Sequence, residues 1–67
     1  MNEERPIVFT ISEITRNFGG LYIIKTKDRR ANNYNRIDVG VMELFPTMCE
    51  ISEEFNAEGY AVLFEVD

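Results

Sequence analysis

Leu44-Phe45-Pro46-Thr47-Met48-Cys49-Glu50-Ile51-Ser52-Glu53-Glu54-Phe55-Asn56-Ala57-Glu58-Gly59-Tyr60-Ala61-Val62-Leu63-Phe64-Glu65-Val66 changes its apolar period once, at Gly59. Upstream, Leu44, Met48, Ile51 and Phe55 recur at helical spacing, within roughly 60° of one another on a wheel. Glu50, Glu53, Glu54 and Glu58 fall on the far side. Downstream, Tyr60, Val62, Phe64 and Val66 recur at every second residue, the period of a strand. Glycine accepts the left-handed backbone that ends a helix, so Gly59 marks the position just past the helix end. The start is less defined. Thr47-Met48-Cys49-Glu50 fits a capping box, Pro46 is tolerated just before or within a first turn, and the first residue falls anywhere from Met42 to Thr47.

Working back towards the N-terminus, Ile7-Val8-Phe9-Thr10-Ile11-Ser12-Glu13-Ile14 alternates as a strand, with Ile7, Phe9 and Ile11 on one face. Pro6 suits a strand start, where its missing N–H costs little. Asn17-Phe18-Gly19-Gly20 is the clearest breaker, because Asn and Gly accept positive φ. Residues 21–27 form a second strand, expected antiparallel to the first. Residues 28–35 are polar and Asn-rich and are read as a loop. Residues 36–41 form a third strand, with Ile37, Val39 and Val41 on one side, and residues 60–66 a fourth. The order β-β-β-α-β specifies an α+β fold: a small antiparallel sheet of about four strands with one amphipathic helix on one face. A helical crossover leaves the last strand's direction open.

Sixty-seven residues make a single domain, 1–67, burying only about 60% of the surface its unfolded chain exposes. Small scaffolds compensate with disulfides, a metal or association. Cys49 is the sole cysteine and there is no histidine, which removes an internal disulfide and a zinc site of the usual four ligands. No EF-hand pattern and no cofactor motif is present. Association is the remedy left. The opening residues lack the apolar core of a signal peptide, no run approaches a membrane span, and a lone thiol suits a reducing cytoplasm.

Charge is segregated. Lys25, Lys27, Arg29, Arg30 and Arg36 face one acid, Asp28, within residues 25–36, whereas residues 37–67 hold eight acids and no Lys or Arg. Such asymmetry concerns partners rather than fold. The basic stretch, with Tyr34, resembles a nucleic-acid-reading loop in composition, since guanidinium groups suit phosphates and a ring stacks on bases. The chain's net charge of −5 argues against it, because phosphate-driven affinity needs a basic footprint. The plainer readings are a solvated hairpin tip or a protein contact. On the helix, Glu50, Glu54 and Glu58 climb one ridge in steps of about 6 Å, with Glu53 beside them and no Lys at i+4 to pair with. That ridge is either a solvated helix face or a phosphate-backbone mimic.

One helix covers one face of a sheet, and an antiparallel sheet normally keeps its other face polar. Here the second strand is apolar on both sides: Leu21 and Ile23 on one, Tyr22 and Ile24 on the other. Val8, Tyr22, Ile24 and Leu63 are taken as the uncovered apolar sheet face, a candidate interaction surface. Scattered surface hydrophobes are the plainer alternative. Cys49, beside the helix stripe, is expected to be half-buried and structural, with no histidine to activate it. Nothing supplies the pocketed, pKa-shifted groups that catalysis needs.

These features point to a non-enzymatic binding protein acting on a larger protein target. In size, charge and missing chemistry the chain resembles the small inhibitors that phages encode against host nucleases and defence complexes, which implies a host-cytosol location. A small nucleic-acid-binding module and a homo-oligomeric structural protein are the alternatives.

Overall fold

The computed structural model describes residues 5–14 and 20–67. Strand β1 spans Ile7–Ile14, β2 Leu21–Lys25, β3 Arg36–Gly40 and β4 Val62–Val66, and helix α1 spans Val41–Ala57. The expected order β-β-β-α-β is the one that forms, and the strands lie side by side as β3-β2-β1-β4. β1 and β2 pair antiparallel, as do β2 and β3, while β4 joins β1 in parallel. The sheet is thus mixed. The direction of β4 follows from α1: the helix returns the chain to the end of the sheet where β3 began, so the next strand runs the same way as β3 and β1.

Pairing register decides the two faces. Ile11 stands opposite Ile24, and Ile24 opposite Ile37; on the other side Ile7 meets Val62 and Phe9 meets Phe64. These residues share the face covered by α1. Ile7, Phe9 and Ile24 are fully buried there against Ile51 and Phe55, with Leu44, Met48, Tyr22, Val62 and Phe64 packed around them. Phe9 is the hub: its ring lies 5.5 Å from that of Phe64 and 6.2 Å from that of Phe55. Aromatic pairs at such separations add about 0.5–1.5 kcal/mol beyond the area they bury.

The region read as a polar loop is partly regular. Arg29–Tyr34 is a 3-10 helix, capped by the Asp28 carboxylate, which accepts from the Arg30 backbone N–H. It is broken at Ala31 (φ −114°, ψ 43°), and this residue is buried in the core. Four Asn and Arg neighbours disguised one small apolar plug. β2 accordingly ends at Lys25, and Thr26 turns inward to donate from its hydroxyl to the Val8 carbonyl at 2.7 Å.

Helix α1 begins earlier than the capping-box reading placed it. Gly40 is its N-cap, without a side-chain hydrogen bond, and Thr47 lies inside the helix. Val41, expected to end the third strand, is the first helical residue. Pro46 therefore sits beyond the first turn, where it removes the bond that its N–H would have made to the Met42 carbonyl. The C-terminus follows the sequence reading. Gly59 takes φ +94°; its N–H donates to the Asn56 carbonyl, and the Tyr60 N–H donates to that of Phe55, both at 2.9 Å. This double closure is a Schellman motif, and the Tyr60 and Phe55 rings, 6.5 Å apart, supply its apolar contact. Strand β4 starts at Val62, after this turn. The turn expected at Asn17-Phe18-Gly19 lies outside the described residues; Gly20, which is described, has φ +90°.

A Cβ at Gly59 would meet nothing within 4 Å, so replacement by alanine costs conformational energy alone. Gly59→Ala is expected to lower stability by about 1 kcal/mol, read from the denaturation midpoint. A neutral result would mean that the helix end does not need the left-handed residue.

Candidate functional site

The sequence proposes three surfaces, and the structure treats each differently. Of the candidate residues of the basic stretch, only Arg30 and the aromatic Tyr34 are drawn into the fold. Arg30 Nε donates to Asp28 Oδ1 at 2.9 Å and Nη2 to Oδ2 at 2.7 Å, while Nη1 reaches the Arg5 carbonyl at 3.1 Å. The same guanidinium lies 5.3 Å over the centre of the Tyr60 ring. Tyr34 packs edge-on against Phe55, ring centres 5.8 Å apart, and its hydroxyl donates to Glu54. Arg36 Nε donates to Asp38 Oδ1 at 3.0 Å on the exposed side of β3. Lys25, Lys27 and Arg29 are exposed. The ring that would stack on a base and the best phosphate fork are therefore both engaged within the fold.

Electrostatics follow from these contacts. The side-chain hydrogen bond from Arg30 holds the Asp28 carboxyl down at about 2, against an opposing effect of burial and with help from the Arg30 backbone N–H and the charges of Arg30 and Arg5. The hydrogen bond to Glu54 raises the Tyr34 phenol above its ordinary value, assisted by burial and by the charges of Glu54 and Glu50. Both pairs tie the 3-10 helix down, Asp28 at its start and Tyr34 at its end.

The apolar sheet face divides in two. Val8 and Leu63 pair across β1 and β4 on the face away from α1 and are exposed. Tyr22 and Ile24 instead face the helix, because Ile24 pairs with Ile11 and Ile37; Ile24 is fully buried and Tyr22 packs on the core. On the open face the register places Leu21, Ile23 and Ile14 towards the opposite end from Val8 and Leu63. Between these ends run Glu65, Thr10, Lys25 and Arg36 in one row, and in the next Ser12 and Asp38 flank the buried Ile23. Charged pairs and hydroxyls interrupt what composition suggested was a continuous patch.

The acidic ridge is on the surface: Glu50, Glu53, Glu54 and Glu58 are all exposed. It has two flanks. Glu54 and Glu58 border a notch shared with Arg30, Asn33 and Tyr34. Glu53 borders a groove of about 310 Å3 between α1 and β4, lined also by Phe45, Met48, Cys49, Ser52 and Phe64. Cys49 is exposed in this groove rather than half-buried, because the helix turns Met48 and Ile51, not Cys49, to the sheet. On the same stripe of α1 stand Met42 (81% exposed) and Phe45 (70%); with Val66 at the end of β4 (84%), these are the most exposed large apolar side chains among the described residues.

Sequence reasoning passed over this strip, although its signal was present. Met42, Phe45 and Cys49 recur at spacings of three and four, a second helical stripe beside the first. With the helix start left open as far as Thr47, the first two members had no helix to belong to. Among the described residues no group of His, Cys, Asp and Glu side chains converges to hold a metal ion, and no helix is long and apolar enough to cross a membrane. Comparison with protein-family models, curated proteins and solved structures finds no match to this chain.

Two titrations test the anchoring of the 3-10 helix. The Asp28 value lies below the ordinary 3.8, so its stabilisation is complete above that pH and disappears as pH falls through about 2. Asp28→Asn should cost about 1–2 kcal/mol at pH 7, allowing for solvent screening, and nothing near pH 2. A pH-independent difference would contradict the assignment.

The Tyr34 value lies above the ordinary 10.0, so its contribution is complete below pH 10 and lost as pH rises through the folded-state value. Tyr34→Phe should lower stability by about 1 kcal/mol at neutral pH, with the gap closing in alkali. An unchanged denaturation midpoint at neutral pH would remove the Glu54 bond from the account.

Proposed function

We propose that this domain is a non-enzymatic protein-binding module that docks on a larger, basic protein through the outer side of α1. The observation that carries the reading is the exposed strip of Met42, Phe45 and Cys49 along α1, set among the carboxylates of a segment, residues 37–67, without a single Lys or Arg. An exposed apolar strip with a charged rim is the composition of an interaction surface. The apolar side chains supply residence time, and the carboxylates steer encounter and choose the partner.

In this reading the protein acts as a small acidic inhibitor of the kind phages direct against host proteins, blocking a surface by occupying it. Glu50, Glu53 and Glu58 then stand where a phosphate backbone would lie if the target surface is a nucleic-acid groove. The internal engagement of Arg30 and Tyr34 weighs against direct nucleic-acid binding by the basic stretch. The absence of histidine from the sequence supports a role without chemistry.

The test is affinity capture from host lysate, at about 50 and 200 mM salt, where charge-driven contacts separate, using the unaltered protein and three variants. The double substitution Glu50→Lys with Glu53→Lys, and Phe45→Asp separately, should each reduce recovery of the captured protein by about tenfold, with Arg29→Glu leaving it unchanged. Recovery lost with Arg29→Glu and kept with the helix variants would reverse the assignment of the surface.

A further inference from the structure

Among the described residues β4 is an edge strand, paired with β1 alone. The Ile7 N–H donates to the Ala61 carbonyl and the Asp67 N–H to the Ile11 carbonyl, each at 2.9 Å. In the parallel ladder between those two bonds, with Ile7 opposite Val62 and Phe9 opposite Phe64, the odd-numbered residues of β4 bond inwards to β1. The N–H and C=O groups of Val62, Phe64 and Val66 therefore point outwards.

Natural sheets protect such an edge with Lys, Pro, a bulge or a covering element. Val62-Leu63-Phe64-Glu65-Val66 has no Lys or Pro, and its single charged residue, Glu65, lies on the face away from α1. The other edge, β3, is of the same length but carries the Arg36–Asp38 ion pair. The unprotected edge is also the one beside the apolar groove: Phe64 lines it together with Phe45 and Cys49.

We infer that β4 is a docking edge that takes an extended cationic segment of the partner as a fifth strand of the sheet. This inference rests on the protein-binding reading above and names the form of its ligand. Alternate side chains of an added strand fall on opposite faces. Those on the helix side lie over Phe64, Phe45 and Cys49 and must be apolar. Those on the open side lie beside Leu63 and Glu65, where Lys or Arg finds a carboxylate. The charge selects the occupant: a second copy would bring its own β4 and α1, which hold Glu65 and Glu53 and no cation, against the same carboxylates. A segment alternating apolar with basic residues fits the face chemistry on both sides.

Two blocked synthetic eight-residue peptides test this against the intact protein: one alternates lysine with valine or phenylalanine, and one has the same composition without alternation. Anisotropy at about 150 mM salt should give at least about tenfold tighter binding for the alternating peptide, and that peptide should slow amide exchange at Val62, Phe64 and Val66. Val66→Pro removes one outward N–H and leaves the β1 ladder intact, so it should weaken binding by about tenfold, whereas Val66→Thr keeps the N–H and should change it less than about threefold. The exchange measurement needs no substitution and decides the matter if Val66→Pro disturbs the fold.

Equal binding of both peptides, or unchanged exchange at the three amides, would overturn the strand addition. A dimeric mass without peptide that Val66→Pro converts to monomer would overturn it too, by giving the edge to a second copy. If capture from lysate responds to the Glu50 and Glu53 reversal but not to Val66→Pro, docking by α1 stands and the edge inference alone fails.

Discussion

The ring of Phe55 is where the separate parts of this fold become one object. It meets Phe9 from the central strand, Tyr34 from the 3-10 helix and Tyr60 from the turn that closes α1. Phe9 passes the contact on to Phe64 in the edge strand. With so few residues to bury, the core has no second layer to share this work, and each aromatic contact holds an element rather than merely filling space. The Schellman turn and the Asp28 cap serve the same end, since both bring rings to Phe55 in a fixed orientation.

That economy explains where the surfaces lie. A 17-residue helix has one side committed to the Phe9–Phe55 contact, and its apolar sector is wider than the sheet can cover. The excess emerges on the β4 side as Met42, Phe45 and Cys49. On the opposite side the 3-10 helix rises to meet α1, and Tyr34 and Arg30 are drawn into the structure by Glu54 and Tyr60. The two charge blocks of the sequence thus become unequal surfaces: the basic one is partly spent on internal bonds, and the acidic one stays outside.

Elements governed by neighbouring residues were legible in the sequence. β1 begins after Pro6 and alternates to Ile14, and Gly59 ends the helix where its φ requires it. Elements governed by distant residues were not. Which side of β2 is inward depends on Ile24 standing opposite Ile11 and Ile37, a fact of pairing that two equally apolar faces cannot reveal locally. The helix start was hidden by Pro46, whose presence inside the helix is tolerated because the affected turn is exposed to water. Of the candidate site residues, the glutamates were placed correctly on the surface by periodicity alone. The exposed strip beside them was hidden only by the uncertain helix start, and Ala31 by its polar neighbours.

Pro46 has one more effect. The Met42 carbonyl lacks the donor that the helical repeat would assign to it, and Gly40 offers no side chain to secure the turn before it. The opening turn of α1 is therefore held chiefly by Leu44, the one residue of that turn packed on the core. Met42 and Phe45 flank that anchor on its outer side, so the two most exposed large apolar side chains of α1 hang from a turn secured by a single inward contact.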